Sequence, residues 1–308
     1  MRIAHLSDPH LLDLEGVSPW RLILNKRLTG YVNLRLKRGH AHRPRLVDAI
    51  VDDLRAARAD HIAITGDLTN LALEPEFERA RRVIERLGRS PEDISVVPGN
   101  HDLYTRGAER DGRFAKYFDA YARSDRGLDR AVAHPSGRFP FLRVRGPALI
   151  VGLSTALARL PLVASGEAGA SQRDALAAAL ADPALRDLTP VVLAHHPVVN
   201  PASALRRLMR GLSDADALRD ALAGRPQVLA LHGHLHRRGH RTVRAGDTEV
   251  HVLGATSASL EHHARDRVAG YNVYELDDAG RLLRASARVW DAAREDFVDA
   301  PLPAMIDA

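Results

Sequence analysis

His61-Ile62-Ala63-Ile64-Thr65-Gly66-Asp67-Leu68-Thr69-Asn70 is the stretch on which the fold turns. Its first half reads as a β-strand, and its second half as a turn presenting a carboxylate and an amide at the strand's C-terminal end. The same device recurs on both sides of it. A strand over residues 2–7 delivers Asp8-Pro9-His10, and one over 94–97 delivers Gly99-Asn100-His101-Asp102. Strands at 191–194 and 228–231 deliver His195-His196-Pro197 and His232-Gly233-His234-Leu235-His236. In α/β folds the edge outside the carboxyl ends of the strands is where sites are built.

Between these strands, Leu46, Ala49, Ile50 and Leu54 stand at helical spacing and predict a helix over 46–59. Pro75 at a first turn opens another helix, to residue 87. Residues 113–122 and 171–180 also read as helical, the latter with Ser171 as N-cap. A Gly-Pro turn joins strands at 139–145 and 148–152. From residue 241 the pattern is strand-rich (241–245, 249–253, 271–276, 282–289), with hairpin signals at Gly246-Asp247 and Asp278-Ala279-Gly280. Strand–helix alternation followed by hairpins predicts an α/β fold with mixed sheets. The expected organisation is one domain over 1–290, with an insertion at about 16–45 and a C-terminal tail over 291–308.

The chain has 308 residues, 45% hydrophobic and 27% charged, a balance that suits one large α/β domain and excludes disordered and collagen-like classes. Having no Cys excludes a disulfide scaffold, thiolate-bound zinc, an iron–sulfur cluster and a Cys nucleophile. The N-terminus shows no apolar signal-like run, and no stretch nears a membrane span, so a cytoplasmic location is expected. The net charge of +5 is a local feature. Between Glu15 and Asp48 lie Arg21, Lys26, Arg27, Arg35, Lys37, Arg38, Arg43 and Arg45 with no acid, leaving −3 for the rest of the chain. Specific nucleic-acid binding is therefore not expected.

The strand-end loops together offer carboxylate, amide and imidazole donors. Side chains two apart in extended chain share a face, which would let Asp8 converge with His10 and His234 with His236. Adjacent His195 and His196 should diverge, so only one enters the same site. Glycines before Asp67, Asn100 and His234 permit sharp turns there. With Asp67 bridging, seven side chains suffice for two divalent metal ions, and mixed N and O donors without thiolate favour Mn, Fe or Zn over Mg or Ca. Each motif alone is commonplace; the five in order, all at strand ends, are specific. His5 and His61 read as strand residues, and His232 as support for the turn after it.

The set Asp8-x-His10, Gly66-Asp67-x-x-Asn70, Gly99-Asn100-His101-Asp102, His195-x-Pro197 and Gly233-His234-x-His236 resembles the signature of the calcineurin-like dinuclear metallophosphoesterases. Its Gly-Asn-His-Asp form is most similar to the bacterial phosphodiesterase branch, which includes cyclic-nucleotide phosphodiesterases. The resemblance implies two packed mixed β-sheets flanked by helices, an αββα sandwich. It implies that Asp8, His10 and His236 hold one metal, that Asn100, His195 and His234 hold the other, and that Asp67 bridges. The implied reaction is hydrolysis of a small phosphodiester, through attack by metal-activated hydroxide. His101 is the candidate for stabilising the phosphoryl oxygens or protonating the leaving alkoxide, with Asp102 orienting its ring.

In the basic insertion, Trp20, Leu24, Leu28 and Tyr31 form an apolar stripe at helical spacing, with cationic residues around it. It reads as a cap packing on its own domain or a second subunit, as a surface for the inner face of an anionic membrane, or as a phosphate-steering element. Three functional readings stay open: a soluble phosphodiesterase, a peripheral membrane hydrolase of a lipid-linked phosphate or pyrophosphate of the lipid A precursor type, and a non-catalytic interaction module.

Overall fold

The computed structural model describes residues 1–18, 20–23, 27, 28 and 42–305. Its strands are β1 (Arg2–Leu6), β2 (His61–Ile64), β3 (Ile94–Val96), β4 (Val132–His134), β5 (Gly137–Phe139), β6 (Phe141–Arg145), β7 (Ala148–Gly152), β8 (Thr189–Leu193), β9 (Gln227–His232), β10 (Gly239–Ala245), β11 (Thr248–Gly254), β12 (Gly270–Leu276), β13 (Leu282–Asp291) and β14 (Asp296–Pro301). The named helices are α1 (Trp20–Ile23), α2 (Pro44–Ala56), α3 (Glu74–Glu85), α4 (Arg106–Arg110), α5 (Arg113–Phe118), α6 (Ala170–Leu180), α7 (Ala204–Arg210) and α8 (Ala215–Asp220).

One six-stranded sheet runs β14-β13-β12-β1-β2-β3 and the other β10-β11-β9-β8-β7-β6. Each has a parallel heart. In the first, β1, β2 and β3 are parallel and β12 joins antiparallel. In the second, β7, β8, β9 and β11 are parallel, and β6 and β10 are antiparallel margins.

Strand periodicity explains how the layers pack. On β8, Val191 and Leu193 join the core that unites the two sheets, while Val192 between them faces the second core. On β9, Leu229 and Leu231 take the first core, and Val228 and Ala230 the second. Strands buried on both faces read as continuous apolar runs, as these do. Val47, Ile50, Val51 and Leu54 of α2, with Phe77, Ala80 and Ile84 of α3, close the first core; Leu176 of α6 and Leu218 of α8 close the second. Burying each Val, Leu, Ile or Phe contributes about 1.5–3 kcal/mol. This is the expected α/β architecture, sheets flanked by helices.

Three local expectations need correction. The C-terminal stretch that reads as a tail supplies β14, paired antiparallel with β13 through Ser286↔Pro301 to Asp291↔Asp296. Its apolar Phe297 and Ala300 are buried there, which an isolated reading of a short polar segment does not reveal. The helix expected to start with a Ser171 cap has Gly169 at its N-cap. The preceding N–H groups of Ala168 and Gly169 are instead taken by the carboxylate of Asp214, which is distant in sequence. The single strand over 139–145 is divided at Pro140, which has no N–H for a ladder, into β5 and β6.

Candidate metal centre

The loops after β1, β2, β3, β8 and β9 meet. Asp8 and His10 donate backbone N–H bonds to Gly66 O and Asp67 O at 3.0 Å, so the first two loops are zipped together. Gly233 N–H donates to His195 O at 3.1 Å and ties the last two. The His234 N–H, bonded to Asp8 Oδ2 at 3.1 Å, joins the two sheets.

Convergence does not come from strand alternation. Asp8, His10, Asp67, His234 and His236 have φ of 51°, 46°, 51°, 65° and 48°, in the left-handed region. Asp and His are among the side chains that tolerate it, at roughly 1–2 kcal/mol each. Left-handed turns, and not an extended face, therefore aim these side chains inward. The glycines also act differently from expectation. Gly66 does adopt a φ of 84°, but Gly99 and Gly233 are needed for space. A Cβ on Gly99 would lie 2.2 Å from Asp67 Oδ1, and one on Gly233 would lie 1.9 Å from Ser7 Oγ.

The donors form two adjoining groups. In the first, His236 Nε2 lies 3.2 Å from Asp8 Oδ1 and 3.0 Å from His10 Nε2. In the second, Asn100 Oδ1 lies 3.1 Å from His195 Nε2 and 3.0 Å from His234 Nδ1. Asp67 Oδ2 stands between them, 3.8 Å from His10 Nε2 and 3.4 Å from His195 Nε2. Except for the half-buried His234 and His236, these residues are buried.

Hydrogen bonding sets the ring tautomers. His195 Nδ1–H donates to Thr65 O at 2.7 Å and His234 Nε2–H to Arg210 O at 2.9 Å, because carbonyls only accept. In the neutral rings His195 Nε2 and His234 Nδ1 would then both be acceptors, facing the acceptor Asn100 Oδ1. Asp8 Oδ1 is buried with imidazole nitrogens near it, His236 Nε2 at 3.2 Å and His10 Nε2 at 3.8 Å. Such a cluster is costly unless a proton or a metal cation sits within it. Burial holds His10 and His234 neutral, well below the usual imidazole range. Burial opposes charge on His195 too, but the Asp67 carboxylate outweighs it and pushes the ring up to about 9. Burial likewise opposes ionisation of Asp67, yet His195 and His101 hold it well below the carboxylate range. A bound metal would replace the proton that His195 shares with Asp67. The residues fit a metal pair: anionic Asp8 and Asp67, an amide oxygen and imidazole lone pairs, oriented by carbonyl and N–H partners behind them.

His101 stands at the mouth of this cluster. Its N–H donates to Asp67 Oδ1 at 2.7 Å, its Nδ1–H donates to Asn70 O at 2.7 Å, and its ring stacks on Tyr104 at 5.3 Å. Asp102 does not orient that ring. Its carboxylate accepts N–H groups from Leu68, Thr69 and Gly99 and the Thr69 hydroxyl, bracing two ligand loops against each other. His196 turns away, to Thr155 Oγ1 at 2.9 Å and Ala164 O at 3.0 Å. His5 bonds within the sheet to Tyr274 and Thr65, and His61 to Ser95. His232 Nδ1 lies 3.0 Å from Gly233 O. Sequence reasoning missed His42. Its ring is 5.2 Å from that of His10 and 5.9 Å from that of His236, and its Nδ1 is 2.7 Å from Ser259 Oγ. It belongs to no strand end, so the pattern that finds the other histidines passes over it.

In the insertion, Trp20 and Leu28 are 67% and 40% exposed, while Leu24 and Tyr31 lie outside the described residues. Arg21 pairs with Glu74, Arg43 and Arg45 pair with Glu261, and Arg27 is buried against Leu71 O and Ala72 O. Among the described residues, no helix is long and apolar enough to cross a membrane.

Comparison with known proteins agrees with this fold. No curated protein matches the chain in sequence. Among solved structures, a dimetal phosphatase from Danio rerio superposes with a TM-score of 0.60 at 14% identity, over 98% of this chain and 99% of that one. A purple acid phosphatase from yellow lupin (Lupinus luteus) seeds gives 0.51 at 12% identity, over 99% of this chain and 53% of its own. At these identities the likeness is one of fold. The sequence profile described as calcineurin-like phosphoesterase matches residues 1–238, well over half of the chain, so this protein is a member of that dinuclear metal-dependent family of phosphoester hydrolases.

Proposed function

We propose that the protein hydrolyses a small phosphodiester, with Asp8, His10 and His236 holding one divalent ion, Asn100, His195 and His234 a second, and Asp67 both. The observation that carries this reading is the convergence of Asp8, Asp67 and Asn100 with four imidazoles at 3.0–3.8 Å, a donor set that a pair of cations satisfies. Mixed N and O donors favour Mn, Fe or Zn. When bound, such ions draw charge from phosphoester oxygens and lower the pKa of water. The chain's own residues supply the rest. His101, with Nδ1–H fixed on Asn70 O and its ring beside His10 and Asp67, is placed to hydrogen-bond a phosphoryl oxygen or to hand a proton to the leaving alkoxide. Asp102 keeps the loops that carry Asp67 and Asn100 in register. The diester preference is supported by the resemblance of Gly99-Asn100-His101-Asp102 to the phosphodiesterase branch, and the lack of Cys supports a cytoplasmic setting. A second reading places Trp20 and Leu28 against a membrane surface, favoured by their exposure.

Manganese-, iron- or zinc-loaded protein should turn over bis-p-nitrophenyl phosphate faster than p-nitrophenyl phosphate. The reverse order refutes the diesterase reading, and no turnover with any metal favours a non-catalytic module. Flotation with phosphatidylglycerol vesicles, wild type beside Trp20→Ser, tests the membrane reading; equal recovery in the soluble fraction removes it.

A further inference from the structure

The candidate metal centre borders a cavity of about 700 Å³. Leu235, between His234 and His236, lines it, as does Arg210, whose carbonyl holds the His234 ring. The cavity therefore begins where the metal ligands end. Its wall is aliphatic, with Leu162, Leu205, Met209 and Met305. Leu162 and Leu205 are 77% and 69% exposed, so large apolar groups of this cavity stand in water. An apolar patch of this kind next to a polar site marks a groove for ligand.

Charge and shape narrow the occupant. Among the described residues the lining includes five arginines (Arg206, Arg210, Arg237, Arg241 and Arg267) and no carboxylate, which fits an anion. Arg237 is paired with Asp266 at 2.7 Å, so part of this charge is already balanced. Among the described residues no aromatic side chain lines the cavity. Among the described residues the one lining amide, Asn200, is engaged at both ends by the backbone of Leu212, at 2.8 Å each. The leucine and methionine side chains of the lining suit a flexible hydrocarbon.

We infer that the substrate is an anionic amphiphile, a phosphodiester bearing an aliphatic chain. Its phosphorus sits at the metal centre, and its chain runs along Leu205, Met209 and Met305 beneath the arginines. This rests on the phosphodiester reading above and names the substrate class for it.

The test is a series of alkyl p-nitrophenyl phosphates, methyl, butyl, hexyl and octyl, each used below its micelle-forming concentration. Water attacks phosphorus, the P–O bond to p-nitrophenol breaks, and alkyl phosphate remains, so the leaving group is constant. Buried methylenes should raise kcat/KM by roughly two- to fourfold each until the cavity is filled. Leu205→Glu, at an exposed helix position, should cut the octyl-to-methyl ratio at least tenfold. Without metal, octyl phosphate should raise the Tm of the wild type more than methyl phosphate does, and Leu205→Glu should abolish the difference. A flat rate series with sound bis-p-nitrophenyl phosphate turnover, or an unchanged ratio in the variant, overturns the inference and leaves the diesterase reading standing. Failure to hydrolyse any ester brings down both.

Discussion

The two sheets contribute to the candidate metal centre in chemically different ways. The first brings every oxygen donor, Asp8, Asp67 and Asn100, with His10 among them; the second brings only imidazoles, His195, His234 and His236. The oxygens are backed by N–H groups: His101 N–H on Asp67 Oδ1 at 2.7 Å and His234 N–H on Asp8 Oδ2 at 3.1 Å. The imidazoles His195 and His234 are backed by carbonyls, Thr65 O and Arg210 O. An N–H keeps a carboxylate ionised, and a carbonyl leaves a neutral imidazole's far nitrogen as an acceptor. Opposite kinds of support thus produce the same result, electron pairs aimed at one point. The negative charge nevertheless comes wholly from the first sheet, so the two edges should not be equally sensitive.

The sharpest test of that asymmetry sets Asp67→Ala against His236→Ala. Asp67→Ala should lower kcat on bis-p-nitrophenyl phosphate by roughly 10³-fold or more, since it removes an anion shared by both donor groups. His236→Ala should cost less and recover in part with added metal, as followed by metal content and rate. Equal, unrescued losses would break the comparison. Next in size is His101→Ala, which should reduce kcat by about 10²-fold with bound metal unchanged, because its ring serves the leaving group. A parallel loss of metal would make it a ligand instead. Gly233→Ala probes the seam between the edges. Its methyl would press on Ser7 Oγ and Asp8 Oδ2, and metal affinity measured by competitive chelation should fall about 10–100-fold. The smallest effect is on stability. Asp102→Ala would orphan the N–H groups of Leu68, Thr69 and Gly99, at roughly 3 kcal/mol, and should lower Tm by several degrees in a thermal melt.

Much of the site is legible without coordinates because each donor follows its own strand within a few residues, a short-range pattern. Asp8 and His10 after β1, Asp67 after β2 and Asn100 after β3 need only the recognition of an apolar run and a turn. The left-handed φ of five ligand residues is not legible, since Asp and His tolerate that region without requiring it and nothing nearby in the sequence demands it. Asp102 is misread for a related reason. Its neighbour in sequence is His101, but its partners are Leu68 and Thr69, which reach it only when β2 and β3 lie side by side. His42 and β14 depend likewise on segments far apart in the chain, His10 and His236 for the one and β13 for the other.

Local pattern, then, was enough to identify the ligand-bearing strands, the family signature and the donor types, because periodicity and turn chemistry act over a handful of residues. Which nitrogen of each ring faces inward, which glycines are needed for room, what Asp102 holds, and how an arginine-lined aliphatic cavity comes to share the loop of His234 and His236 were decided only by packing. Those features arise where the two sheets meet, between atoms as much as 226 residues apart along the chain, and no nearest-neighbour rule carries that information.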